Sequence, residues 1–198
     1  VAGRALRPGA PDPLGDRPRV RPGQVHGTSV REAGAPGSLP ACDGVFTRAP
    51  GLLVTVRVAD CLPVLLAAPD GALALIHAGW RGLAAGVLEA AAARFARPGS
   101  LAAILGPAIG PCCFEVGPEV AERFDPRAVR RPAGRRPHVD LFTAARLRLE
   151  GAGLASPAIS GDAPCTRCHQ HLLHSHRGSG GGSGRNTAFA SVAAAGGR

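Results

Sequence analysis

Between Arg57 and Gly82 the chain reads "RVADCLPVLLAAPDGALALIHAGWRG", with Asp60 and Cys61 opening one apolar run and His77 closing the next. Paired strands bring such ends together, so a thiol and an imidazole become neighbours. His26, in "GQVHGTSV", is a third candidate donor. Two imidazoles and one thiolate make a three-ligand set suited to Zn²⁺, with the fourth position open to water or substrate. Spacing alone does not bring His26 to the other two. The plainer reading of a single Cys or His at a strand end is packing. Cys61 and His77 are also the pair that a metal-free cysteine hydrolase would use as nucleophile and base. Asp60 could orient a ligand or move a proton. Regular strand geometry points it away from Cys61, so that role needs a bulge or a strand end.

Other residues invite weaker readings. "RGSGGGSGR", residues 177–185, is bracketed by Arg177 and Arg185, and with Arg81 these guanidinium groups are candidates for holding an anionic substrate. A P-loop is excluded, because it needs a lysine and all 23 basic residues are arginine. Cys165-x-x-Cys168-His169 fits a c-type haem attachment pattern, but the chain contains no methionine for an axial ligand. His138-Val139-Asp140 followed by Pro164-Cys165-x-x-Cys168 imitates a zinc deaminase signature, with Asp in place of the required Glu. A second zinc or a redox dithiol at Cys165 and Cys168 competes with the simpler expectation of buried, unliganded thiols. Cys112 and Cys113 are adjacent, cannot easily bond to each other, and read as packing.

A chain of 198 residues with 28 glycines and 19 prolines is expected to form one domain rich in tight turns, spanning residues 1–198. The net charge of +9 accompanies high alanine, arginine, glycine and proline, and no motif for reading nucleic acid is present. No apolar stretch reaches the ~20 residues of a membrane span. The expectation is therefore a cytoplasmic protein with neither nucleic acid nor membrane as partner, a monomer or weak homo-oligomer.

Leu52–Val58, Leu62–Ala68 and Ala72–Ala78 read as strands, the last two joined in a hairpin by Pro69-Asp70-Gly71. Leu83, Val87, Ala91 and Phe95 form one stripe of a helix over residues 82–96. Leu101–Leu105, Ala158–Ser160, His171–Ser175 and Thr187–Val192 are further strands, and Pro118–Phe124 a short helix. Asp140 caps a helix over Leu141–Glu150. Residues 1–23 read as an irregular, Pro-rich lead-in. Strands and helices that mix without a strict βαβ repeat predict an α/β fold with a mixed sheet.

The segments "QVHG", "ADCLPVLL", "HAGWRGLAAGVLEA", "LGPAIGPCCFEVG", "DLFTAARLRLEGAG", "CTRC" and "SHRGSGGGSGR" occur in this order. Together they resemble the YfiH-like family, also called the laccase-domain or polyphenol-oxidase family, to which the peptidoglycan editing factor belongs. "CDGVFT", residues 42–47, resembles the segment before the family's central strands. The resemblance implies a four-layer α/β/β/α sandwich with mixed sheets and a metal site of His26, Cys61 and His77. It implies a purine nucleoside and phosphate as ligands, with phosphorolysis of adenosine, inosine and methylthioadenosine and deamination of adenosine. Cu²⁺-dependent polyphenol oxidation, a cysteine hydrolase editing peptidoglycan precursors, and an inactive binding module are the alternatives it carries. It sets aside the haem and deaminase-signature readings, since "CTRC" and "HVD" fall in ordinary family segments. The family's Arg-Gly-Gly-Val-Ser-like rim segment has no convincing match before Gln24.

Overall fold

A computed structural model describes residues 14–193 apart from positions 162 and 183. Among these residues twelve strands and four α-helices follow in chain order. They are β1 (Arg19–Pro22), β2 (Val30–Glu32), β3 (Gly37–Leu39), β4 (Gly44–Thr47), β5 (Leu53–Val58), β6 (Leu62–Ala67), β7 (Leu73–Ala78), α1 (Trp80–Ala85), α2 (Val87–Ala92), β8 (Ala102–Leu105), α3 (Pro118–Ala121), β9 (Val129–Arg130), β10 (His138–Val139), α4 (Leu141–Gly151), β11 (Ile159–Ser160) and β12 (Asn186–Ser191). One mixed sheet runs β11-β8-β6-β7-β4-β2, a second runs β12-β5-β1-β3, and β9 and β10 pair separately.

The expected hairpin forms between β6 and β7, from Leu62 opposite Ala78 to Ala67 opposite Leu73. Asp70 stabilises its turn by accepting from the Ala72 N–H at 3.1 Å. Strand alternation then divides β7 between two cores. Ala74, Ile76 and Ala78 face the helices, whose Leu83, Val87, Leu88, Leu141, Ala145 and Leu149 complete the first core. Leu73 and Leu75, with Val45 of β4 beside them, face the second sheet, where Val20, Val54, Val56 and Ala188 meet them. His77 continues that second row and so emerges at the end of the gap between the sheets.

The α/β class and the mixed sheets are as expected. The buried residues of all four helices lie in the first core, and the inter-sheet core holds no helical residue. The described residues therefore form three of the four expected layers.

Other expectations change in detail. The single helix over 82–96 is two shorter helices, because Gly86 adopts the left-handed conformation at φ 100° and breaks the run. Asp140 does cap α4, accepting from the N–H groups of Phe142 at 3.0 Å and Thr143 at 3.2 Å. Arg148 ties α4 back to the first helices through Glu89 at 2.9 Å and the Ala84 carbonyl at 2.9 Å.

Two expectations are corrected. The lead-in is not irregular throughout: residues 1–13 lie outside the described region, but Arg19–Pro22 forms β1, parallel to both β3 and β5. Its Pro-rich composition hid a strand whose buried side chains are Val20 and Pro22. His171–Ser175 is not a strand but a turn and bend running into irregular backbone. There the side chain of Asn186 supplies the pairing, accepting from the His174 N–H and donating to the His174 carbonyl, each at 2.9 Å.

Candidate metal centre

The register of three strands sets the floor of the site. Gly44 pairs with Ile76, and the His77 N–H donates to the Asp43 carbonyl at 2.7 Å, so Asp43 sits beside His77 on the β4 side. On the other side His77 pairs with Pro63, which places Cys61 two residues further along the same face.

Asp43 is fully buried. Its Oδ1 accepts from His77 Nδ1 at 2.8 Å and from the His26 N–H at 2.8 Å. Its Oδ2 accepts from the N–H groups of Gly27 at 2.7 Å and Val25 at 3.3 Å. One carboxylate thus holds both the ring of His77 and the loop that carries His26. The bond to Nδ1 leaves Nε2 of His77 as the nitrogen with a free lone pair, an arrangement typical of metal-bound histidine. The loop is tied to β5 as well, because the Gln24 amide donates to the Arg57 carbonyl at 2.6 Å and accepts from the Arg57 N–H at 2.9 Å. Gln24 and His26 both adopt positive φ, 51° and 61°, which these contacts over-determine.

Donor atoms of His26, Cys61 and His77 consequently lie within 4.8 Å of one another. The two imidazole rings meet edge to face with centroids 4.8 Å apart. Gly79 leaves room for them: a β-carbon there would lie 2.6 Å from His26 Nδ1 and 3.2 Å from Cys61 Sγ.

The electrostatics suit a cation. Burial, followed by the charges of Asp60 and Asp43, pushes the Cys61 thiol up to about 11. It is a poor nucleophile at neutral pH without a partner to take the proton's place. Burial pushes His77 below its ordinary 6.5 against the opposing hydrogen bond to Asp43, which keeps the imidazole in its ligating, neutral form. Two nitrogens and one sulfur, borderline and soft donors with a buried carboxylate behind them, fit one zinc or copper ion.

Above this floor opens a cleft of about 670 Å³, lined in part by Trp80, Phe114 and Ile109. This is the size of a small-molecule site. Arg81, Arg177 and Arg185 all line it, and so do Arg21 and Arg57. Arg81 stacks over Trp80 with its guanidinium 4.4 Å from the ring centroid. Arg177 is fixed more firmly, donating from its side chain to the Glu115 carbonyl at 2.9 Å and from its backbone to Asp60 Oδ2 at 2.7 Å. Arg185 donates to the Gly184 carbonyl at 2.9 Å.

Asp60 lies in the bend between β5 and β6 at φ 87°, outside regular strand geometry. Its Oδ1 accepts from the Thr166 hydroxyl at 2.6 Å. Its carboxylate therefore braces Thr166 and Arg177 beside the cleft.

Three features escaped the sequence reading. Asp43 stood within "CDGVFT" without an assigned role, although an Asp directly before an apolar strand was a usable signal. Arg21 and Arg57 lay in segments read only for their strands or their irregularity. Cys112 and Cys113 were expected as packing, and Cys165 and Cys168 as buried thiols with a second zinc or a redox dithiol as the alternative, whereas Cys112 and Cys168 are exposed and all four sulfurs converge.

A mixed-sheet α/β protein with a His₂Cys donor set at one end of its sheets is the class that fold and site define. The family described as multi-copper polyphenol oxidoreductase laccase matches residues 14–193, and the chain belongs to it. It is 41% identical over 170 residues to a purine nucleoside phosphorylase of Xylella fastidiosa, covering 78% of this chain and 65% of that one. It is 36% identical over 160 residues to the adenosine deaminase RL5 of an unknown prokaryotic organism, covering 75% of this chain and 61% of that one. The chain thus spans about two thirds of the length of these relatives. The crystal structure of YlmD from Geobacillus stearothermophilus superimposes with a TM-score of 0.84 at 31% identity, covering 89% of this chain and 74% of that one.

Proposed function

We propose that this chain converts purine nucleosides in a metal-dependent reaction, chiefly phosphorolysis, with adenosine deamination at the same site. The observation that carries the reading is the convergence of His26, Cys61 and His77 at the floor of an arginine-lined cleft. Relatives named purine nucleoside phosphorylase and adenosine deaminase supply the substrate class.

A Zn²⁺ ion held by the three side chains would supply Lewis acidity and lower the pKa of water at its open position. The chain's own residues do the rest. Asp43 orients His77 and the His26 loop. Trp80 and Phe114 offer aromatic faces to a purine. Arg81, Arg177 and Arg185 bind phosphate, Arg177 being pre-set by its bonds to Glu115 and Asp60. In phosphorolysis a phosphate oxygen bonds to the ribose C1′ as the C1′–N9 bond breaks, and the purine leaves with a proton. In deamination water adds at C6 and ammonia leaves.

Copper-dependent polyphenol oxidation remains open to the same donor set. A multicopper relay, however, would require many more histidines grouped together than this site supplies. The metal-free hydrolase reading is disfavoured by the protonated state of Cys61. We expect a cytoplasmic enzyme, monomeric or weakly associated, with no nucleic-acid or membrane partner. Among the described residues no helix is long and apolar enough to cross a membrane.

The test is to incubate the zinc-loaded protein with adenosine, with and without phosphate, and to resolve the products by chromatography. Adenine with ribose 1-phosphate, appearing when phosphate is present, supports phosphorolysis, and inosine supports deamination. Turnover of neither adenosine nor inosine, by protein shown to hold the ion, would reject the proposal.

A further inference from the structure

A second group of ligating side chains lies apart from His26, Cys61 and His77. Cys112 and Cys113 sit in the loop after β8, and Cys165 and Cys168 in the turns after β11. In the loop, the N–H groups of Cys113 and Phe114 return to the Gly110 carbonyl at 2.9 and 3.0 Å, a turn that brings both adjacent sulfurs within reach of Cys168. The Sγ atoms of Cys112 and Cys113 lie 3.6 and 3.5 Å from that of Cys168, and all four sulfurs lie within 4.8 Å of one another.

These separations discriminate between uses of the thiols. A disulfide needs sulfurs at about 2.05 Å. Tetrahedral zinc at about 2.3 Å from each sulfur sets the sulfurs about 3.8 Å apart along every edge. The observed spacing lies near the tetrahedral edge, and no single pair is singled out for oxidation. The Gly110 N–H donates to Cys165 Sγ at 3.2 Å, the kind of hydrogen bond that supports a metal-bound thiolate. The two segments are already aligned by a parallel bridge between Ala108 and Cys165 and by the Thr166 N–H donating to the Ala108 carbonyl at 3.0 Å.

The geometry points to a structural metal site in which Cys112, Cys113, Cys165 and Cys168 hold one Zn²⁺ ion as four thiolates. With all four positions taken by protein, such an ion binds no substrate. Its role is to staple the 110–114 loop to the 165–168 turn. Thr166, inside that turn, donates to Asp60, whose carbonyl also accepts from the Ile109 N–H at 3.0 Å. The staple thereby fixes from both sides the bend that precedes Cys61. This inference stands whether or not the cleft processes nucleosides.

The test uses the full chain purified without oxygen and saturated with Zn²⁺, its bound metal measured by elemental mass spectrometry. Two ions per chain are expected. Replacing Cys112 and Cys168 together by serine should leave one, and His77→Ala should lower the count by loss of the cleft ion alone. Loading with Co²⁺ should give the strong visible bands of a four-sulfur site in the wild type and in His77→Ala, and not in the double serine variant.

Alkylation of the wild type avoids dependence on the variants' folding. Cys112 and Cys168, though exposed, should be protected by Zn²⁺ and become reactive once a chelator strips it. Equal alkylation rates with and without Zn²⁺ would overturn the proposal. So would a single bound ion that disappears in His77→Ala, or an anaerobic mass lighter by two hydrogens for each cysteine pair.

Discussion

Asp43→Asn tests the construction of the candidate metal centre most directly. The substitution keeps the size of the side chain and removes one acceptor oxygen. In the wild type Oδ1 serves His77 Nδ1 and the His26 N–H, while Oδ2 serves Gly27 and Val25. If the new NH₂ takes the Oδ2 position, it faces the Gly27 N–H across 2.7 Å, donor against donor. If it takes the Oδ1 position, it faces the His26 N–H across 2.8 Å and forces His77 to the other tautomer, in which Nε2 carries the proton. Either orientation sacrifices at least one hydrogen bond to a charged acceptor, worth about 1.5–3 kcal/mol. If the loss falls on the ligand geometry, it corresponds to about 10- to 160-fold in affinity, in line with the effect of such supporting partners at metal sites. Zinc affinity is measured by competition with a chromogenic chelator, with circular dichroism to confirm the fold. A correctly folded Asp43→Asn protein binding zinc within about twofold of wild type would refute the reasoning, because it would show that the carboxylate does not position the ligands.

Five further outcomes follow from the structure. Gly79→Ala should cost at least about tenfold in zinc affinity, since its β-carbon would lie 2.6 Å from His26 Nδ1; the same competition assay reads it. Arg81→Ala should raise the KM for phosphate about tenfold, the worth of a weak charge-assisted contact, and leave adenosine deamination unchanged in product assays. Zinc must displace the proton of Cys61, held up to about 11, so calorimetry in buffers of different ionisation enthalpy should show proton release and affinity rising with pH through neutrality. In metal-free protein the raised thiol stabilises the fold below its ordinary 9.0 and loses that contribution as pH rises through about 11. His77, lowered by burial, contributes above 6.5 and loses its contribution as pH falls through its depressed value; thermal melts across pH check both signs. Asp140→Ala removes the cap of α4 and should cost about 1 kcal/mol, seen as a Tm lower by about 2–4 °C.

The strongly apolar elements were readable one at a time. β5, β6, β7 and β8 are short, largely apolar runs with turn residues between them, and α4 announces itself through Asp140. β1 to β3 were not readable, because three or four residues such as "VRE" or "GSL" carry no period and become strands only where a neighbouring edge pairs with them. The break at Gly86 was hidden because the apolar stripe continues across it. His171–Ser175 misled for the opposite reason: the N–H groups of its apolar pair, Leu172 and Leu173, turn back to the His169 carbonyl, and Asn186 pairs with His174 beside them.

By itself the amino-acid sequence determined the donor types, the hairpin that carries Cys61 and His77 to one end of the sheets, and the absence of any lysine for phosphate chemistry. Only the tertiary structure decided that Asp43 links His26 to His77, that five arginines from four separate segments share one cleft, and that four cysteines some 50 residues apart in two pairs meet. The physical reason is that residue type and local periodicity are written along the chain. Distances between remote segments are set by strand register and by which sheet edges pair, and those depend on the packing of the whole core.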